Sequence, residues 1–347
     1  MSSAPSPGLC FSGDCRIRWD AAFFGARAVG ALSAALFLLV FNTPVLFVAR
    51  LASGFAAGLT ATACTAWVAE LAPEGNHTLS ATMATGANLL GLALGPLISG
   101  VLAQYEPAPL RLPYLVYLVG VVVPVLIVWT IHETVDEAKP PRAVSLRPRI
   151  GVPADIFGQF IAPALTAFVS FALMGFYSSL IPSLILESLH IRNHATSGAA
   201  IFFMFCSGVI AIAVSRRFSS RAVVFTARAT LVPGVLLPVA ASELSSLALL
   251  FAASAIGGVS GVLGYRGSLA IVNEIAPKDR RAETLAVLML CCYTGISLPI
   301  IGIGVATQKT RAGTADLVFA VLLCVLALIA IAMGLNYGGT ARSERAS

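Results

Sequence analysis

The chain has 347 residues, 58% of them hydrophobic and only 11% charged, with a formal net charge of +6 and a mean hydropathy of +0.89. A soluble domain carries about 25% charged residues, so a water-soluble globular protein is excluded, and the excess of base is read as a membrane-orientation signal rather than as a nucleic-acid footprint. The seven cysteines are scattered without metal-ligand spacing and read as small buried hydrophobes.

The N-terminal segment 1–21 begins Met-Ser-Ser-Ala-Pro-Ser-Pro and is expected to be irregular and disordered. Beyond it the chain is a series of apolar runs, each long enough to span a bilayer. Backbone polar groups in lipid must be paired within the segment, so each run is predicted to be a helix. Four fall at about 22–41, 45–69, 80–104 and 113–131. A charged, proline-containing stretch at 132–155 has the composition of a linker. Six more follow at about 156–186, 195–214, 222–241, 246–271, 284–306 and 315–336, then a polar tail at 338–347. The fold class is therefore all-α and polytopic, with about ten transmembrane helices in a 4 + 6 division: an incomplete N-terminal bundle over 22–131 and a C-terminal bundle over 156–337.

If the helices alternate, 14 of the 22 basic residues fall on the side of the N-terminus and 4 on the other. The remaining four, Arg27, Arg50, Arg228 and Arg266, lie inside apolar runs. Lys and Arg collect on the cytoplasmic side, which predicts that both termini are cytoplasmic in a multi-pass protein of the cell inner membrane.

The chain also repeats itself. Aligned without gaps at a shift of 204, residues 45–104 and 249–308 share 15 identities in 60 positions. The matches include Glu70-Leu-Ala-Pro73 with Glu274-Ile-Ala-Pro277, Gly54 with Gly258, Gly91 with Gly295 and Gly100 with Gly304. Slightly upstream, Phe24-Gly-Ala-Arg27 matches Phe225-Thr-Ala-Arg228 at a shift of 201. Two parallel copies joined by a cytoplasmic linker are one architecture of secondary transporters.

Three motifs deepen that reading. Arg50-Leu-Ala-Ser-Gly54-Phe-Ala-Ala-Gly58 places two glycines four apart, where they can admit a neighbouring backbone. Gly91-Leu-Ala-Leu-Gly95-Pro96-Leu-Ile-Ser99-Gly100 adds a bend-favouring proline to a series of small residues expected on one face. Glu-x-Ala-Pro recurs in both halves. With these motifs the chain, from about residue 22, resembles the major facilitator superfamily, and within it the drug/proton-antiporter-like exporters. The resemblance implies a two-bundle helical fold and a role for Arg50 in proton coupling. Gly54, Gly58, Gly91, Gly95, Pro96 and Gly100 are read as a conformational motif or as close helix packing alone. In the register of the repeat, counterparts of the first two helices of the second half would lie ahead of Met1. The expectation is a chain lacking the family's first two helices and transporting weakly or not at all as written.

A guanidinium in an apolar run is costly unless it is paired or faces water. Arg50 is read either as a coupling residue or as snorkelling from a helix end. Arg266 lies in Gly264-Tyr-Arg-Gly-Ser268 and matches Thr62 in the repeat, so it breaks the symmetry. It is read as a transport candidate or as the partner of an acid such as Glu274. Arg27 and Arg228, which are symmetric, are read as structural anchors. Phe168, Phe171, Tyr177, Phe202, Phe205 and Tyr293 are possible pocket-lining aromatics, a role that ordinary core packing fits equally well.

The function expected is secondary active transport of a small molecule, exporter-like and driven by a proton gradient, by alternating access between the bundles. No cofactor, no nucleic acid and no obligate protein partner are expected; the partners are the lipid bilayer and the substrate. The alternatives are a non-transporting or inactive membrane scaffold or a membrane-embedded enzyme. The enzyme reading lacks any Ser/His/Asp set or zinc motif in the sequence.

Overall fold

The computed structural model describes residues 13–39, 42–70, 77–109, 111–130, 151–215, 217–277 and 280–307, with isolated helical positions between 321 and 332. The helices among them are α1 (Gly13–Leu38), α2 (Thr43–Glu70), α3 (His77–Tyr105), α4 (Leu112–Thr130), α5 (Phe157–Ser183), α6 (His194–Ser215), α7 (Ser220–Glu243), α8 (Leu247–Ile275) and α9 (Arg281–Thr307). α5 runs on into one π-helical turn, Leu184–Ser188. No strand occurs among the described residues. Seven of the described segments are long and apolar enough to cross a membrane, and two shorter apolar helices cover Arg27–Leu38 and Leu112–Pro124. Of the tenth expected run, 315–336, only those isolated positions are described, and the tail at 338–347 and most of the 132–155 linker lie outside the described residues.

One boundary differs from expectation. α1 begins at Gly13, inside the segment expected to be irregular. The prolines of that segment, Pro5 and Pro7, lie upstream of Gly13, and no proline follows until Pro44. Nothing in the backbone chemistry therefore stops the helix from starting ahead of the apolar run.

The chain divides into two compact units, and the division passes through α3 at Asn88/Leu89 and Gln104/Tyr105 as well as through the linker at Arg147/Pro148. Unit 1 is built on α1, α2 and α4. Ser33 Oγ donates to Ala49 O at 3.0 Å between α1 and α2, and Phe37 stacks on Tyr114 between α1 and α4 with centroids 4.8 Å apart. Its outer faces are apolar: Leu51 is 75% exposed, Phe47 68% and Phe55 62%. Water would drive such a surface to aggregate, whereas hydrocarbon solvates it.

Unit 2 contains Leu89–Gln104 of α3 together with α5 to α9. α8 is its centre, and glycine makes that possible. Gly257, Gly261 and Gly264 face α5, where a Cβ would meet the Tyr177 ring, Met174 and Ser170 in turn. A Cβ at Gly258 would enter the Met204 carbonyl on α6. Close backbone approach replaces the hydrophobic effect as the cohesive force between helices in lipid. The α5–α9 contact works in the same way, with Gly175 against Ile296 and Gly295 against the Phe168 carbonyl. Around these contacts Leu173, Phe176, Tyr177, Ile181, Met204, Leu231 and Leu250 form a core with at most 2% exposure.

Candidate functional site

Each of the four arginines within the apolar runs has a defined partner. In unit 1, Arg27 Nη1 donates to Gly120 O on α4 at 3.2 Å. That carbonyl is exceptional, because Pro124 stands four residues on and has no N–H with which to close the helical bond. Arg50 lies in the first turns of α2, exposed, with its guanidinium 5.2 Å from the centroid of the Phe37 ring. Phe37 in turn stacks on Tyr114, so the cation caps a two-ring stack at the C-terminal end of α1 and the N-terminal ends of α2 and α4. A cation over a ring is favourable without a carboxylate.

In unit 2 the polar groups form a seam between α5, α7 and α8. Arg228 Nη2 and Nε donate to Thr166 Oγ1 at 2.8 and 3.1 Å, and Nη2 also reaches Ala162 O at 3.4 Å. Ser260 Oγ donates to Ala227 O at 2.9 Å. Along the same seam Ser170 Oγ and Ser268 Oγ are buried with no hydrogen-bond partner among the described residues. Arg27 and Arg228 correspond in the repeat, and both bond to groups on another helix of their own unit. Their acceptors differ, a backbone carbonyl in one unit and chiefly a threonine hydroxyl in the other.

Tyr177 is completely buried, and its hydroxyl lies 2.7 Å from Gly234 O and 2.6 Å from Ala253 O. It carries one proton, so it can donate to only one of them at a time. Ala253 O stands four residues before Gly257 and has a helical donor. Gly234 O stands four residues before Pro238 and has none. The Tyr177 hydroxyl therefore does in unit 2 what Arg27 does in unit 1, serving a glycine carbonyl that a proline has deprived of its helical bond. Neighbouring helices make prolines tolerable in membrane helices in this way. The spacings Gly120–Pro124 and Gly234–Pro238 were visible in the sequence, but the donors that answer them are distant in the chain.

Arg266 Nη1 donates to Ile212 O at 3.0 Å and makes a short contact with Ser215 Oγ, both in the last turn of α6. A cation at a helix C-terminus is favoured by the unsatisfied carbonyls there. The structure thus ties Arg266 to the end of α6 through neutral oxygens.

Of the aromatics, Tyr177 (0% exposed) and Phe205 (6%) fill the interior of unit 2 rather than lining open space. Phe168 and Phe202 are partly buried against the same core. Phe171 and Tyr293 instead form an edge-to-face cluster with Tyr265. The Phe171–Tyr265 centroids are 5.3 Å apart and the Phe171–Tyr293 centroids 6.4 Å, and Tyr293 is 62% exposed. Sequence reasoning missed Tyr265, which follows a glycine and precedes the arginine that drew attention.

The glycine motifs separate as well. A Cβ at Gly100 would lie 2.7 Å from His194 O, and one at Gly198 of α6 would strike Pro96 O. Gln104 Oε1 accepts from His194 N at 2.8 Å on the same seam. Gly54, Gly58, Gly91 and Gly95 have no atom within 4 Å of a Cβ among the described residues. The series Gly91, Gly95, Pro96, Gly100 therefore does not share one face. At about 100° per residue, Gly100 lies opposite Gly91. It lines up instead with Pro96, Ala93 and Leu89, of which Ala93 and Leu89 are buried in the unit 2 core.

The sequence profile of the Major Facilitator Superfamily matches residues 18–298. The chain belongs to the Major Facilitator Superfamily. It is accordingly a multi-pass membrane protein of a transporter family and not an enzyme. No curated protein sequence matches the chain. Among solved structures it is similar in fold to a POT family transporter in complex with a thioalcohol-conjugated peptide. The TM-score is 0.65 at 13% identity, covering 92% of this chain and 82% of that one. It is similar to a bacterial metal transporter, with TM-score 0.58 and 14% identity over 92% of this chain and 86% of that one. A bacterial homologue of the human lysosomal transporter Spinster, inward-facing and unoccupied, gives TM-score 0.56 and 12% identity over 90% and 81%. At such identities these neighbours speak for the superfamily fold alone.

Proposed function

We propose that this superfamily member is a secondary active transporter of a small molecule, exporter-like and proton-driven, working by alternating access in the cell inner membrane with both termini cytoplasmic. The observation that carries the reading is the superfamily match over 18–298. The close α3–α6 crossing at Gly100 and Gly198 supports a conformational role for that motif. The substrate surface proposed is the Phe171–Tyr265–Tyr293 cluster, which suits an apolar or aromatic compound. Arg50 and Arg266 are proposed as coupling residues.

A second reading, a non-transporting membrane scaffold, is favoured by one observation. The carboxylates of the described apolar spans, Glu187, Glu243, Glu274 and Glu283, all lie at span ends. None stands mid-span among the described residues to carry a proton. The assay that separates the readings is transport of lipophilic fluorescent cations in inverted vesicles under an imposed pH gradient. Proton-coupled export gives accumulation that collapses with a protonophore. Absence of accumulation across a broad compound panel supports the scaffold.

Two variants refine the proposal. Tyr293→Ala removes an exposed ring, so the protein is expected to fold normally while its apparent KM rises by about tenfold, the value of one lost aromatic contact of roughly 1.4 kcal/mol. An unchanged KM moves the substrate surface elsewhere. Arg50→Ala removes a cation–π contact worth about 0.5–1 kcal/mol at an exposed site, too little to prevent folding. It is expected to reach the membrane at normal levels and lose transport, and full activity would leave Arg50 a structural cap on the Phe37–Tyr114 stack.

A further inference from the structure

The polar seam of unit 2 holds a charge that its protein partners do not neutralise. Arg228 stands inside the apolar span Ala222–Glu243, about 9 Å along the axis from its start. Its acceptor Thr166 stands inside the span Phe157–Ser188, about 13 Å from that start. Nε and Nη2 of Arg228 bond to Thr166 Oγ1 and Ala162 O, both neutral, and Nη1 takes part in none of these bonds. Thr166 Oγ1 donates its own proton to Ala162 O at 2.8 Å. Two hydroxyls without an acceptor lie at the same crossing. A serine or threonine in a helix commonly donates to the carbonyl four residues back, as Thr166, Ser178, Ser254 and Thr284 do here. Ser170 and Ser268 do not: both are fully buried, and neither hydroxyl has a partner among the described residues. The helix register puts them beside the charge. Cβ atoms at Gly257, Gly261 and Gly264 of α8 would meet Tyr177, Met174 and Ser170 of α5 in turn, so one further turn sets Ser268 level with Thr166. Gly264 also faces Ala227 and Gly267 faces Val224, on either side of Arg228 in α7.

Donors without acceptors and a positive charge without a negative one call for the same ligand. Water accepts hydroxyl protons but leaves the guanidinium charge uncompensated among apolar helices, where an unpaired charge is costly. We propose that the crossing of α5, α7 and α8 binds a small monovalent anion of the halide class. Arg228 supplies the charge and the free N–H groups of Nη1, and the hydroxyls of Ser170 and Ser268 supply two further donors. Hydrogen bonds to an ion are stronger than those between neutral groups, which gives both serines a reason to stand off their own helices. The anion is a single atom because glycine brings α5 and α8 too close at Gly261 and Gly264 to admit a phosphate or an organic acid. The proposal stands apart from the transport reading, since it needs only the packing of unit 2 in a membrane.

The test uses the full chain purified in a neutral detergent. Its unfolding temperature is followed as chloride, or separately bromide, replaces gluconate at constant ionic strength. The wild type is expected to gain stability with either halide and to saturate. Arg228→Gln keeps an N–H for Thr166 and removes the charge, and it is expected to lose the halide response. Ser170→Ala and Ser268→Ala are each expected to raise the half-saturating chloride concentration by about tenfold, the value of one hydrogen bond to a charged group. Arg217→Gln, at an exposed arginine outside the crossing, is expected to respond as the wild type does, which separates a bound ion from a general salt effect. A wild type indifferent to the exchange of gluconate for halide overturns the site, and so does an undiminished chloride response in Arg228→Gln. Serine variants that shift stability equally at every chloride concentration also overturn it, since the hydroxyls would then be packing alone. If Arg228→Gln does not fold, the serine variants decide.

Discussion

Tyr177→Phe is expected to destabilise unit 2 by about 1–3 kcal/mol, the cost of leaving a buried acceptor unsatisfied, and Pro238→Ala is expected to remove most of that loss. The variant keeps the ring, which packs against Gly257, and deletes only the hydroxyl. An average interhelical hydrogen bond in a membrane protein is worth about 0.6 kcal/mol, because the separated helices find other partners. Gly234 O is not average. Pro238 removes its helical donor, the carbonyl is buried, and the Tyr177 hydroxyl at 2.7 Å is the donor the structure supplies. Restoring an N–H at position 238 gives the carbonyl its helical partner and makes the hydroxyl dispensable. The measurement is a double-mutant cycle of thermal unfolding in detergent, which isolates the pairwise term. A coupling of at least about 1 kcal/mol is expected. An additive cycle would mean that the hydroxyl serves Ala253 O instead, and that the proline is tolerated for another reason. The corresponding pair in unit 1, Arg27 with Gly120 and Pro124, is expected to behave in the same direction.

The same pairings show what the sequence could and could not carry. Apolar run length placed the helices, because lipid demands internally paired backbone over a fixed thickness. The 204-residue shift located corresponding positions in the two halves, and the family followed from the arginine–glycine and glycine–proline motifs. Which helix touches which was not legible. A helix that is apolar on all sides has no stripe to mark its buried face, so Tyr177 and Phe205 fitted pocket and core equally well in the sequence and are buried in the core. Gly54 and Gly258 match in the repeat, yet a Cβ at Gly258 would run into the Met204 carbonyl while one at Gly54 would meet nothing among the described residues. Repeat position fixes a residue's place along its helix and not its neighbours. Arg266 stood out as an asymmetric charge, but its partners on α6 lie more than fifty positions back in the chain. No local signal connects them.

Gly198→Leu and Gly100→Val are expected to abolish transport and lower the unfolding temperature, while Gly95→Leu, in the centre of the same motif, is expected to do neither. The reasoning is steric. Gly100 and Gly198 bring α3 and α6 within backbone contact, and a side chain at either position must displace the His194 or Pro96 carbonyl rather than a flexible side chain. Overpacking of this kind costs about 1–3 kcal/mol. Gly95 is exposed on another face of α3, where a leucine meets no described atom within 4 Å and the change should stay within about 0.5 kcal/mol. The comparison also separates two ways in which a glycine–proline helix could serve alternating access. If the motif acts by close approach to α6, only the residues in contact matter. If it acts by making α3 easy to bend at Pro96, then Gly95 should matter as much as Gly100, since leucine removes the backbone freedom that glycine lends the helix there. Transport measured in vesicles alongside unfolding in detergent distinguishes them. Loss of transport in Gly95→Leu at wild-type stability would establish bending, and the contact at Gly100 and Gly198 would then be packing alone.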